Sequence, residues 1–114
     1  MAILVIGNDN ESAELIYEIL MNEPNNIIFA EDGVQGLIAF RKYELSTIIV
    51  DLDICFISIL EFIKIIKEEN KKIKIVLFGT KNDEILEKLK SLGVEDFVEK
   101  DSLFQNLLLV YKSI

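Results

Sequence analysis

The sequence contains no histidine, so it supplies no His-based triad, no phosphohistidine and no His-ligated zinc. Its one cysteine, Cys55, excludes an intramolecular disulfide framework and makes a reducing compartment the default. Proline occurs once and glycine five times, scattered as punctuation, and no linker, repeat or low-complexity tract is present. Basic residues are scarce, 12 against 20 acidic ones, giving a net charge of -8. Phosphate backbones and anionic lipids repel such a surface, so neither nucleic acid nor a membrane is an expected partner. No apolar run approaches the ~20 residues of a membrane span. The opening run Ala2–Ile6 is too short for a signal peptide and no basic residue precedes it. What remains is ample apolar content, 51% of 114 residues, enough for one compact domain over 1–114 with a core of its own. These properties fit an acidic, soluble, cytoplasmic domain.

Periodicity alternates along the chain. Ala2–Ile6 is unbroken and apolar, as suits a strand buried on both faces. Asn10 can cap a helix that places Leu15, Ile16, Ile19 and Leu20 on one stripe, and Pro24-Asn25-Asn26 breaks it. A second strand follows at 27–30, and Asp32-Gly33 turns into a helix carrying Val34, Leu37, Ile38 and Phe40. The third strand, 47–50, runs into Asp51. Ser58 and Glu61 have capping-box spacing, so a third helix should start near Ile59, with Phe62, Ile63, Ile65 and Ile66 as its apolar face. Residues 73–78 form a fourth strand, Asn82 caps a fourth helix that Gly93 stops, and 96–98 form a short fifth strand. Ser102 and Gln105 repeat the capping-box spacing before a last helix through Leu103, Leu107 and Tyr111. Five strands alternating with five helices through short connections imply parallel pairing, right-handed crossovers and an open α/β sheet with helices on both faces.

In such sheets ligands lie outside the carboxyl ends of the strands, where the strand order reverses. Three segments therefore matter: Gly7-Asn8-Asp9, Asp51-Leu52-Asp53 and Phe78-Gly79-Thr80. Asp51 leaves the sheet after a β-branched run. A carboxylate there, held at its base and exposed at its tip, serves as a nucleophile toward phosphorus, as a metal ligand or as a loop cap, and spacing alone does not separate these. Asp53 faces the same side if the chain stays extended, and Asp9 either caps the first helix with Asn10 or reaches the crevice. Lys100 ends the fifth strand at the same edge, where an ammonium can neutralise Asp51 or hold a phosphoryl oxygen. Cys55, flanked by Ile54 and Phe56 with no base nearby, reads as packed and inert.

The order Ile3-Leu4-Val5-Ile6, Glu31-Asp32-Gly33, Ile48-Ile49-Val50-Asp51 and Gly93-Val94-Glu95-Asp96-Phe97-Val98-Glu99-Lys100 resembles the receiver domain of two-component response regulators, over nearly the whole chain. The resemblance implies a flavodoxin-like (βα)5 sheet of order 2-1-3-4-5. By position, Asp51 matches the aspartate that accepts a phosphoryl group from a histidine kinase. Lys100 matches the lysine that contacts the phosphoryl, Phe97 the switch aromatic, and Asp53 the residue whose carbonyl ligates magnesium.

The chain also departs from that pattern. Gly7 and Asn8 stand where receivers carry the acidic pair that holds magnesium, so any metal site on Asp51, Asp53 and Asp9 should be weak or absent. Phe78 stands in place of a Ser or Thr, and Thr80 is displaced by two residues. Cys55 and Ile59 replace the Pro and Gly after the acceptor. Asp101 replaces the proline after the lysine, so a trans Lys100–Asp101 bond is expected. Together these imply an atypical, degenerate receiver, without enzymatic activity, that acts by binding a protein partner. The alternatives are an active receiver phosphorylated on Asp51 by a histidine kinase and a small flavodoxin-like enzyme or flavin binder. The loop 7–11, acidic and with one glycine, disfavours the last. The last helix carries Leu103, Phe104, Leu107, Leu108 and Tyr111 on one stripe. Leu109, Val110 and Ile114 lie beyond it, which suggests a partner or homodimer surface there with the fourth helix and fifth strand.

Overall fold

The structure is a computed structural model that describes residues 1–21, 26–102 and 106–107. Its elements run β1 (Ala2–Ile6), α1 (Asn10–Leu20), β2 (Asn26–Ala30), α2 (Gly33–Lys42), β3 (Leu45–Asp51), α3 (Ile59–Glu69), β4 (Lys74–Gly79), α4 (Asp83–Ser91) and β5 (Phe97–Glu99). A single 3-10 turn, Lys100–Ser102, follows β5. All five strands pair in parallel in the order β2-β1-β3-β4-β5, the flavodoxin-like arrangement that the sequence implied.

The unbroken apolar strands are explained by two-sided burial. Leu4 and Ile6 of β1, Ile48 and Val50 of β3, and Ile75 and Leu77 of β4 pack on the side of α2 and α3, with Phe62, Ile63 and Ile66 against them. Their neighbours Ile3, Val5, Ile49, Val76 and Phe78 point to the other side, against Ile16 and Leu20 of α1 and against Leu107. Each such side chain contributes about 1.5–3 kcal/mol relative to an exposed one. A polar residue on either face of these strands therefore has no water to turn to. β5 is shorter and marginal, with only Val98 of its three residues buried.

Local capping sets where the helices begin. Ser58 accepts from the amide of Glu61, and Asn82 from that of Ile85, both as expected. Asp32 caps α2 by accepting from Gln35 N. Of the two capping residues that the sequence offered for α1, Asp9 fills the cap, and Asn10 is the first helical residue. Asp9 wins because its extended backbone directs a carboxylate at the free amides of Glu11 and Ser12, where a formal charge also complements the helix dipole. α4 ends as Gly93 takes φ +88°, a conformation that glycine adopts without a Cβ clash. Of the last helix, only Asn106 and Leu107 are described. Leu103, Phe104, Gln105, Leu108, Leu109, Val110, Tyr111 and Ile114 lie outside the described residues, as do Pro24 and Asn25. Ser102 falls within the 3-10 turn, and its hydroxyl accepts from Asn106 Nδ2 at 2.6 Å.

The strand order reverses between β1 and β3, since the chain builds β2 on one side of β1 and then crosses to the other. The crevice at that point is bounded by Gly7–Asp9 after β1 and by the end of β3.

Candidate functional site at the carboxyl edge of the sheet

Asp51 is the last residue of β3 and pairs in register with Phe78 on β4. Both its carboxylate oxygens are engaged. Oδ1 accepts from the backbone N of Asp53 at 2.9 Å, and Oδ2 lies 3.3 Å from Lys100 Nζ. The residue is only 3% exposed, which corrects the expectation of an exposed tip. Burial follows from what surrounds it: Lys100 crosses over one oxygen, Phe78 fills the neighbouring strand position, and Leu52 and Gly79 close the other side.

Lys100 Nζ also lies 3.1 Å from Asp9 Oδ2. One ammonium thus bridges two carboxylates brought from β1 and β3 by the sheet. Asp9 holds its place through α1, since Oδ1 accepts from Glu11 N at 3.1 Å and Oδ2 accepts from the Ser12 hydroxyl at 2.8 Å. Asp9 is therefore both the helix cap and a member of the crevice, the two roles that the sequence set against each other. Ser12, buried and polar, was missed by sequence reasoning, although the Asp9-x-x-Ser12 spacing carries the signal. Phe78 forms the apolar wall, with Lys100 Nζ 5.9 Å from its ring centroid, within cation–π range.

The remaining candidates are placed as follows. The Asp53 side chain is exposed, because the chain turns at Leu52-Asp53 and directs the Asp53 amide back to Asp51. The extended path that would have aligned the two carboxylates is not taken. Asn8 is exposed and Gly7 half-buried, and a Cβ on Gly7 would lie 3.3 Å from Asp51 Cβ and 3.5 Å from Phe78 Cζ. Thr80 is exposed, beyond Gly79 at φ +145°. Phe97 is half-buried on β5 and packs against the α2/α3 core. Asp101 is exposed in the 3-10 turn, and the described chain has no cis bond, so Lys100–Asp101 is trans. Cys55 is exposed, contrary to the packed thiol expected: Ile54 and Ile57 take the inward positions. The Cys55 carbonyl instead accepts from Gly33 N.

The magnesium that the receiver resemblance implies finds a thin donor set here. Hard cations of this kind take about six oxygen ligands in near-octahedral geometry. Among the described residues no group of three or more acidic or thiol side chains converges. The two carboxylates that do converge share the Lys100 ammonium. Two side-chain carboxylates, Asp9 and Asp51, are thus the acidic donors brought together here among the described residues.

Electrostatics tie the cluster together. The hydrogen bond from the Ser12 hydroxyl, and then that from Lys100, hold the Asp9 carboxyl below its ordinary value. For Lys100, burial works against the charge, but the hydrogen bond to Asp9 and the Asp51 charge outweigh it and raise the ammonium. The consequences for stability have opposite signs. Asp9 stabilises the fold above its unfolded value of about 3.9, and that contribution is lost as pH falls through its depressed folded value. Lys100 stabilises it below about 10.4, and the contribution is lost as pH rises through the raised folded value. Urea unfolding at pH 5 and pH 3 should therefore show wild type losing more stability on acidification than Asp9→Asn. Equal losses would mean that Asp9 is not coupled to folding.

The chain matches the sequence model of the response regulator receiver domain over residues 3–112. It is 22% identical over 98 residues to the uncharacterized transcriptional regulatory protein YcbL of Bacillus subtilis, covering 85% of this chain and 43% of that protein. The chain thus spans less than half the length of this curated relative. Among solved structures it is similar to the chemotaxis response regulator CheY4 of Vibrio cholerae, with a TM-score of 0.87 at 20% identity, covering 99% of this chain and 98% of that one. It is also similar to the RcsB response regulator of Salmonella typhimurium, with a TM-score of 0.86 at 19% identity, covering 98% and 60% of the two chains. At these identities the structural likeness speaks for the fold, while the sequence model, matched almost end to end, speaks for descent: the chain belongs to the response regulator receiver domain family.

Proposed function

We propose that this receiver works by binding a protein partner, with phosphoryl transfer to Asp51 weak or absent and magnesium binding impaired. The observation that carries the reading is the Lys100 ammonium shared between Asp9 and Asp51, in a crevice where Gly7 and Asn8 contribute no carboxylate. Lys100 here supplies, from within the chain, the positive charge that balances the crevice. An attacking oxygen of Asp51 must first be uncovered. The product would place nearly two negative charges where one stood. Asp9 shares the same ammonium with Asp51, and two like charges ~4 Å apart repel by roughly 4 kcal/mol at an effective dielectric near 20. Lys100 already serves both carboxylates and offsets only part of this. In this reading Asp51 and Lys100 retain the acceptor and phosphoryl-contacting positions in altered form, Phe97 on β5 holds the position of the switch aromatic, and no enzymatic activity is assigned.

A second reading is a receiver that still accepts a phosphoryl group on Asp51 from a histidine kinase. The 3.3 Å approach of Lys100 to Asp51 favours it. Intact mass after incubation with acetyl phosphate and magnesium separates the two. The expected result is that at most a small fraction of the chain gains the mass of one phosphoryl group. Stoichiometric labelling that Asp51→Asn removes would establish the second reading instead.

A further inference from the structure

A different part of the surface shows how a partner can be recognised. The core stripe of α1 leaves Tyr17 and Met21 on the side of the helix that faces β2, four residues apart and so stacked along one flank. β2 is the end strand of the sheet, paired only with β1. Its Ile28 and Ala30 pack toward α2, while Phe29 points to the α1 side, its ring centroid 6.4 Å from that of Tyr17. Tyr17, Met21 and Phe29 remain 50%, 57% and 47% exposed, so three large apolar side chains line an open groove of about 730 Å³. Contiguous apolar surface of this kind marks interaction sites.

The rim of the groove has one sign. Glu14, Glu18 and Glu31 line it, and among the described residues no basic one does. The salt bridges among the described residues include none of the three. Gly7 lines the groove as well, and a Cβ there would lie 3.3 Å from Asp51 Cβ, so groove and crevice adjoin at this residue.

We propose that this groove between α1 and β2 is the docking site for a cationic segment of a partner protein, one that places an aliphatic or aromatic residue on Tyr17 and Phe29 and flanking Lys or Arg side chains on Glu14, Glu18 and Glu31. It rests on the reading that the chain acts by protein binding. The apolar floor supplies the anchor, and the acidic rim selects against acidic partners and steers basic ones to it.

The test uses the full 15N-labelled chain and a short fluorescein-labelled peptide of alternating lysine and leucine. Same-length peptides alternating glutamate with leucine, and lysine with serine, serve as comparisons. The lysine–leucine peptide should bind most tightly, with amide shifts centred on Tyr17, Glu18, Phe29 and Glu31. Glu14→Lys with Glu18→Lys should weaken it at least about tenfold, as should Phe29→Ala, while spectra confirm the fold. Glu87→Lys with Glu95→Lys makes the same change in net charge at exposed sites elsewhere and should leave affinity within about twofold. Equal loss in both charge-reversed pairs, shifts centred on another face, or equal binding of the lysine–serine peptide would overturn the proposal. The acetyl phosphate experiment fails independently: labelling of Asp51 would remove the reading above without moving the peptide shifts.

Discussion

Phe78→Thr is expected to lower folding stability by about 4 kcal/mol, within the range for truncating a buried phenylalanine. The ring is 2% exposed and packs with Ile3, Val5, Val76 and Val98, so its removal leaves a void that the surrounding strands cannot fill. For a domain of this size the melting temperature should fall by roughly 15–30 °C, measured by circular dichroism. The same substitution changes the crevice. Phe78 is in register with Asp51, so a hydroxyl at position 78 lies beside the carboxylate. It also clears the ring carbon that would stand 3.5 Å from a Cβ at position 7. Combining Phe78→Thr with Gly7→Asp and Asn8→Asp should raise acetyl phosphate labelling of Asp51 at least about tenfold over wild type, which corresponds to about 1.4 kcal/mol. Gly7→Asp with Asn8→Asp alone should not, because the new carboxylate at position 7 then lies beside the apolar Phe78 ring, which is in van der Waals contact with a Cβ there and offers no hydrogen bond. Equal labelling of the double and triple variants, with folding confirmed at the assay temperature, would show that Phe78 does not limit the site.

Lys100→Met should destabilise the protein by about 2 kcal/mol while keeping the apolar stem in place. Removing one partner of a fully buried pair costs ~3–5 kcal/mol. Lys100 is a third exposed, so water screens part of its interaction and the lower figure follows. The loss falls on Asp51, whose side chain is 5% exposed and would keep only the Asp53 amide as a partner. Asp51→Asn in the same chain should recover most of the loss, since the amide carries no charge to balance. Urea denaturation of the two single variants and the double variant closes the cycle. Additive losses would show that the contact between Lys100 and Asp51 contributes nothing to the fold.

The strands and their two-sided burial were legible because periodicity is local. Ala2–Ile6 reads as apolar at every position, and the structure buries every position. The caps at Ser58 and Asn82 were legible for the same reason, since donor and acceptor lie three residues apart. Between the two adjacent capping residues that the sequence offered, Asn10 and Asp9, the choice depends on backbone angles that the sequence does not state. Cys55 failed because, of the apolar residues around it, Ile54 and Ile57 took the inward positions, while Cys55 and its neighbour Phe56 turned outward.

The sequence by itself determined the alternation of strand and helix, the carboxylates and lysine at the strand ends, and the absence of an acidic side chain at Gly7 and Asn8. These follow from residue identity and short-range spacing. Only the tertiary structure decided that Lys100 bridges Asp9 and Asp51, residues 91 and 49 positions away in the chain, because parallel pairing of distant strands sets that distance. It also decided that Asp51 is buried, since burial depends on Phe78 and Lys100 arriving from β4 and from the end of β5. The groove beneath Tyr17 and Phe29 has the same origin. Neither residue signals it alone, and the two meet only because β2 lies at the edge of the sheet beside α1.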